Sequence, residues 1–261
     1  MNIVVLLAGG NGSRMECAEI PKQYMRIKGK TILEHSVDAF AASPLIDAVL
    51  LVTGKYYQDL GRELAARCTK DCWCIPGGET RSLSAQAGIS FIGRQCDPSA
   101  SDKVVVSDGV RPCILQHEIQ GLLDALERYD CATTGIECYE TILKSADSGE
   151  AVDIISRSHL FRQTAPEAYR YVQLERLYLQ KPQSEVERYE NIGLDYLRAE
   201  GYTVGIVPST SLNFKVTRRE DILLLESVLA SGLLDEFSRL YEQVYSRFRQ
   251  ESEAAQQITP R

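Results

Sequence analysis

The stretch LLAGGNGSRM, Leu6 to Met15, places Gly9, Gly10 and Gly12 ahead of Arg14, and Lys22 follows eight residues later within PKQY. Glycines let backbone N–H groups approach an anion without interference from Cβ. Beyond a strand end, such a turn is where parallel α/β sheets cradle phosphates. Arg14 adds a planar, permanently charged fork suited to phosphate oxygens, and Pro21 stiffens the approach to Lys22, so both cations could flank one phosphate chain. The loop is not a dinucleotide fingerprint, because Met15 stands where the third glycine of G-x-G-x-x-G belongs, and it lacks the G-K-[ST] of a Walker A loop. Two plainer accounts stay open at this point: glycine marks tight turns of every kind, and an exposed lysine is usually a solvated charge.

Residues of this kind need a rigid frame, and the periodicity provides one. NIVVLL, AVLLVT, CWCIP and DKVVVS read as strands. They alternate with helical patterns over about Ile32 to Ala42, Tyr57 to Arg67, Ser82 to Ile92 and His117 to Tyr129, the last with Ile119, Leu122, Leu123 and Leu126 on one face. The alternation predicts an α/β fold with a Rossmann-like, mostly parallel sheet and helices on both faces. After Asp130 the rhythm breaks. CATTGIECYETILKS and AVDIISRS flank the turn ADSGE with no helix between them, which predicts an inserted β-hairpin arm over about 136–158. Helical patterns return at about Val172 to Leu179 and Glu185 to Glu200, followed by the strand YTVGIVP and a helical region from Arg219.

The expected organisation is a single domain over 1–233 and an amphipathic helical extension over 234–261, where Phe237, Leu240, Tyr241, Val244, Tyr245 and Phe248 recur at helical spacing. That stripe is expected to pack on the body or on a partner subunit; a membrane-surface role is disfavoured in so acidic a chain. With 261 residues, 44% of them hydrophobic, the chain can bury a sizeable core. A net charge of −7 and a pI near 5.2 argue against nucleic acid as partner. No run approaches the ~20 apolar residues of a membrane span, and the N-terminal run lacks the basic flank of a secretory signal, so a cytoplasmic location is expected. The eight cysteines are scattered, which reads as reduced thiols; Cys68, Cys72 and Cys74 lack the second pair or histidine of a zinc site.

Taken in order, LLAGGNGSRM with PKQY, PGGETRSLSAQAGI, SDGVRP, RSHLFRQTAPEAY and NFKVTRREDI resemble the motifs of the cytidylyltransferases that act on polyol phosphates, over about residues 2 to 230. That family has a 2-C-methyl-D-erythritol 4-phosphate branch in isoprenoid synthesis and a ribitol 5-phosphate branch in wall polymer synthesis. The resemblance implies a GT-A-like nucleotidyltransferase fold whose β-arm makes a homodimer and lets one subunit complete the other's site. It also implies attack of an acceptor phosphate on the α-phosphorus of CTP, loss of pyrophosphate, and a divalent ion such as Mg2+. By the same resemblance, Arg14, Lys22 and Lys215 are the catalytic cations, and Ala8, Gly9, Gly10 and Gly12 hold the triphosphate. Gly78, Arg81 and Ser84 would read the base, although a serine there is equally what helix capping predicts. Asp108 and Gly109 fall near the ribose and metal, and Arg157 and Thr164 at the acceptor. An acid at the end of a central strand is poorly explained by packing, and Arg111 is its expected partner in a structural salt bridge.

The departures cluster on the acceptor side. The family usually has His-Asp before its Arg-Pro, where this chain has Ser107-Asp108; it usually reads TPQ, where Thr164 to Glu167 read TAPE; and Arg188 to Asn191, RYEN, stand where many members have TD. RSHL and Val110 resemble the ribitol branch, while the methylerythritol branch is the commoner, and the latter acceptor is the one expected here. A reading of another class, a nucleotide-binding regulatory subunit without turnover, is disfavoured by the retained Arg14, Lys22, Asp108 and Lys215.

Overall fold

The computed structural model of the protein describes residues 1–10, 20–147, 149–189 and 193–258, with side chains as far as Ser246. The elements run β1 (Asn2–Ala8), β2 (Arg26–Ile27), β3 (Lys30–Thr31), α1 (Ile32–Ala41), β4 (Ala48–Thr53), α2 (Gln58–Arg67) and β5 (Asp71–Pro76). There follow α3 (Arg81–Gln95), β6 (Lys103–Asp108), α4 (Gln116–Ala125), β7 (Cys131–Glu137), β8 (Ile142–Ser145), β9 (Ala151–Ile155) and β10 (Phe161–Arg170). The chain continues through α5 (Tyr171–Tyr178), α6 (Gln183–Val186), α7 (Leu194–Ala199), β11 (Val204–Pro208), α8 (Arg219–Ser231) and α9 (Leu233–Ile258).

Seven strands form one sheet in the order β11-β7-β10-β6-β1-β4-β5. Its pairs are parallel except for β10, which runs antiparallel to both β6 and β7. The nearly unbroken apolar runs of β1 and β4 suit strands covered on both faces. One face of β1, through Ile3 and Val5, joins a core with Ile89 and Ile92 of α3 and Leu174 of α5. The other, through Val4 and Leu6, joins Val37 and Phe40 of α1 and Ile119 and Leu122 of α4. The mostly parallel α/β frame expected from the periodicity is therefore the frame observed.

Two local expectations need correction, and one strand has no counterpart in the periodicity. Phe161 to Arg170 does not read as a strand because Pro166 cannot donate to a ladder, yet β10 lies inside the sheet. A bulge takes up the proline: pairing with β7 steps from Thr164 opposite Thr134 to Glu167 opposite Thr133. The helix expected from Glu185 to Glu200 is two short helices, α6 and α7, and Gly193, at a φ of +78°, opens the second. Finally, α4 ends at Ala125, short of Tyr129, with Leu126 buried as its C-cap.

Within 136–158, β8 and β9 pair antiparallel as a ribbon separate from the main sheet, the hairpin that the broken rhythm predicted. At the other end, α8 stops at Gly232, whose φ of +72° is the left-handed conformation that glycine tolerates, and α9 then packs along α4. Tyr241 stacks on His117 with ring centroids 5.4 Å apart, and Tyr245 is buried over Gly121. Leu240 and Val244 of the same stripe are exposed, so the stripe divides between the body and its own outer face. The side chain of Phe248 lies outside the described residues. Among the described residues no helix is long and apolar enough to cross a membrane.

Candidate active site

β1 and β6 end side by side, with Leu7 opposite Asp108. Beyond their carboxyl ends lies a cavity of about 280 Å³, lined by Ala8 at the end of β1 and Gly9 and Gly10 after it, by Lys22, by Gly78 to Arg81 and Ser84 at the start of α3, and by Asp108 and Lys215. This is where an open parallel sheet binds ligands. Gln23, buried beside Lys22, holds the loop in place: its Nε2 donates to the carbonyls of Ala8 and Gly10, both at 2.8 Å. Because both partners can only accept, the orientation of the amide is fixed. Gln23 carries no charge to mark it in the sequence; the signal is a polar residue between Lys22 and the buried Tyr24 in the PKQY turn.

The glycines of the site do different things. A Cβ on Gly109 would come within 2.8 Å of Leu33 Cδ1 and 3.0 Å of Ala8 Cβ, and one on Gly78 within 2.4 Å of Leu83 Cβ, so packing demands both. A Cβ on Gly9 would meet only ordinary contacts, and one on Gly10 would meet nothing within 4 Å among the described residues.

Charge is organised around Asp108. Its Oδ1 accepts from Arg81 Nε at 3.4 Å, and its Oδ2 accepts from Arg111 Nε at 3.2 Å and faces Lys215 Nζ at 3.1 Å. Burial alone would raise this carboxyl, but Arg81, Lys215 and Arg111 outweigh it and hold the group well below the usual carboxylate range. The three cations are not equivalent. Arg111, with its side chain 13% exposed, also donates to the carbonyl of Asn213 at 2.8 Å and is the structural partner expected. Arg81 and Lys215, at 31% and 39%, reach the cavity, where Lys22 joins them. The N-terminus of α3 adds its own positive end; Thr80 caps it by accepting from Leu83 N at 3.1 Å. Ser84, which lines the cavity, has one hydroxyl proton within reach of the carbonyls of Thr80 (2.9 Å) and Gly78 (3.2 Å), and donating it to either leaves the oxygen free to accept.

Not every expected residue reaches this cavity. Gly12 and Arg14 lie outside the described residues. Thr164 is buried in β10, with its hydroxyl 2.7 Å from that of Thr134, and does not line the cavity. Arg157 is exposed at the foot of the arm, where its guanidinium donates to the carbonyl of Tyr139. Glu167, in place of the family's usual glutamine, is fully enclosed beside Arg81 and Asp108. Burial pushes its carboxyl up to about 7, Arg81 opposing and Asp108 adding to the shift. Its Oε1 accepts from Gln163 at 2.9 Å, and Oε2 has no partner among the described residues.

For a metal ion the cavity offers two hard oxygen donors, buried Asp108 and exposed Glu79; no three His, Cys, Asp or Glu groups cluster among the described residues. That donor set fits Mg2+, which is commonly held by one or two carboxylates together with substrate phosphates. Cys68, Cys72 and Cys74 are free thiols between α2 and β5, and burial raises Cys72 and Cys74.

An open α/β sheet whose strand ends meet a glycine turn, a helix N-terminus and a ring of cations defines a protein of the nucleotidyltransferase class. The comparisons with known proteins agree. The model of the 2-C-methyl-D-erythritol 4-phosphate cytidylyltransferase (IspD) family matches residues 2–231, and the chain belongs to that family. The cytidylyltransferase of that name from Thermosipho melanesiensis is 28% identical over 86% of this chain and 96% of its own length. A ribitol-5-phosphate cytidylyltransferase from Streptococcus agalactiae is 32% identical over 65% of this chain and 71% of its own. The crystal structure of 4-diphosphocytidyl-2C-methyl-D-erythritol synthase from Anaerococcus prevotii shares the fold, with a TM-score of 0.73 and 21% identity over 87% of this chain and 97% of that one.

Proposed function

We propose that the protein transfers the cytidylyl group of CTP to the phosphate of a polyol phosphate, 2-C-methyl-D-erythritol 4-phosphate in the first place, and releases pyrophosphate. The observation that carries this reading is the set of cations around the cavity, Arg81 and Lys215 drawn together by Asp108, with Lys22 lining the same cavity. An acceptor phosphate oxygen forms a bond to the α-phosphorus of CTP as the bond to the bridging β-phosphate oxygen breaks. The protein's part is to align the groups and neutralise the charge that develops. Gly9 and Gly10 back the triphosphate. Arg14, Lys22 and Lys215 surround the reacting phosphate, and Gly78, Arg81 and the acceptor oxygen of Ser84 face the base. Mg2+, held by phosphate oxygens with Asp108, would supply further neutralisation of the triphosphate.

The arm supports a homodimer. Leu143, Val152 and Ile154 are exposed on both strands of a two-stranded ribbon, a unit of marginal stability by itself in water. In a dimer the arm would carry Arg157 to the acceptor site of the other subunit, with Thr164 nearby. Seven free thiols among the described residues suit a reducing cytoplasm.

Ribitol 5-phosphate is the second acceptor to consider, on the strength of the 32%-identical relative of that name. Incubation with CTP, Mg2+ and a panel of polyol phosphates, read by pyrophosphate release, tests both acceptors. Release with methylerythritol phosphate alone is the expected result, and release with ribitol 5-phosphate alone reassigns the branch. CTP binding without release from any acceptor overturns the enzyme reading in favour of a regulatory nucleotide-binding subunit.

A further inference from the structure

We propose that Asn213, anchored by Glu118, is a positioning residue that fixes where the Lys215 ammonium stands; this rests on the reading of Lys215 as a cation of the transfer site. Asn213 is fully buried, two residues before Lys215. Its Nδ2 donates to the Ala165 carbonyl in the β10 bulge at 2.8 Å and to Glu118 Oε1 on α4 at 3.2 Å. The Ala165 carbonyl can only accept, so the nitrogen of the amide must point that way. Glu118 is itself fully buried and well held. Its Oε2 accepts from the Leu115 amide at 2.7 Å, and its Oε1 also accepts from the Ser209 hydroxyl.

The backbone carries this order to the lysine. The Asn213 carbonyl accepts from Arg111 at 2.8 Å, and beyond Lys215 the amide of Val216 donates to the Val110 carbonyl at 3.0 Å. The backbone on both sides of Lys215 is thus pinned, and its ammonium lies 3.1 Å from Asp108. Four separate parts of the chain meet at this one residue of the segment after β11: α4 and the β10 bulge through its side-chain amide, and the turn after β6 through its backbone carbonyl. A lysine on a flexible four-carbon stem gains a defined position only from such a base. Asn213 also leaves its Oδ1 buried without a partner among the described residues, an unfavourable placement that a loop free to relax would avoid.

A displaced phosphate-contacting group can lower turnover by about 100-fold, so Asn213→Ala is expected to reduce kcat by about 10- to 100-fold with a much smaller change in KM for CTP. The deciding measurement is a double-mutant cycle. If Asn213 acts through Lys215, adding Asn213→Ala to Lys215→Ala costs at most a further factor of about two. If the two losses multiply, Asn213 only supports the fold and the proposal fails. Glu118→Gln, taken through the same cycle, decides between the same two outcomes should Asn213→Ala not fold. A readout independent of turnover is the resonance of 13C-dimethylated Lys215 in the full-length protein, assigned by its disappearance in Lys215→Arg. It should shift or broaden in Asn213→Ala or Glu118→Gln, and an unchanged resonance overturns the proposal. Should wild-type protein release no pyrophosphate with any acceptor, the transfer reading fails, while the resonance still decides whether Asn213 places the lysine.

Discussion

The two walls of the cavity are made differently. Towards β1, β4 and β5 the wall is backbone: Ala8 to Gly10, clamped by Gln23, and the first turn of α3, set on parallel strands filled with valine, leucine and isoleucine. Towards β10, β7 and β11 it is backed by buried polar side chains, Glu118, Thr134, Thr164, Glu167 and Asn213, around an antiparallel strand with a proline bulge. Asp108 stands at the seam and draws Arg81 from the first wall and Lys215 from the second. Backbone amides meet a triphosphate whatever residues surround them, whereas side-chain networks discriminate among ligands by which groups they leave unpaired. On the function proposed above, the first wall suits the triphosphate of the donor, and the second, whose buried polar groups do not line the cavity, acts on a ligand through the Lys215 that it places.

The sharpest way to break this comparison is to remove Lys22, next to the Gln23 that clamps the first wall. Lys22→Ala should lower turnover by about 100- to 1,000-fold, the scale of a lost electrostatic contact to a developing charge. Lys22 sits in a short turn at the cavity rather than in a core, so the thermal midpoint should be nearly unchanged. Turnover at the wild-type rate would mean that the donor phosphates lie elsewhere.

The second wall should show itself in the pH dependence of stability. Burial raises the Glu167 carboxyl to about 7, above the usual glutamate value, so between roughly pH 4.5 and 7 the folded protein holds a proton that the unfolded chain has released. Stability from this residue is therefore full at the acid side of that window and falls as pH rises through it. Glu167→Gln removes the titration and should stabilise the protein at pH 8 relative to pH 5 by on the order of 2 kcal/mol, measured by urea unfolding at both values. Burial raises Glu118 to about 7 as well, so the slope should flatten rather than vanish. A slope identical to wild type would place Glu167 in contact with solvent and undo the contrast between the walls.

The same division explains what could be read in the sequence. β1, β4 and β6 were legible because strands covered on both faces are continuous apolar runs, and the loop was legible because its chemistry is local: glycine followed at short spacing by cations. Asp108 and Lys215 were reached through motifs, and their contact spans 107 residues of chain that no periodicity connects. β10 was illegible because its proline is accommodated by a bulge, a property of the pairing and not of the strand. The role of Asn213 depends on α4, the β10 bulge and the turn after β6 arriving together, and the role of Gln23 on two carbonyls presented by a loop elsewhere. Long-range polar contacts leave no period in the sequence, so the second wall emerges only from the folded chain.

The smallest predicted effect separates binding from folding within the first wall. Gly10 is not among the described glycines with positive φ, and a Cβ there would meet nothing within 4 Å among the described residues. Alanine should therefore fit the unliganded protein, leave stability within about 0.5 kcal/mol, and restrict the unfolded chain slightly in its favour. The space that the methyl would occupy is nevertheless the cavity, which Gly10 lines. If the triphosphate backs onto this loop, Gly10→Ala should weaken CTP binding by about tenfold, or about 1.4 kcal/mol, as measured by calorimetry. Gly109→Ala offers the contrast: with Leu33 Cδ1 at 2.8 Å and Ala8 Cβ at 3.0 Å from the added carbon, it should lose stability first. Wild-type affinity in Gly10→Ala would show that the loop turns beside the triphosphate without cradling it, and the binding role of the first wall would then rest on Lys22 and the N-terminus of α3.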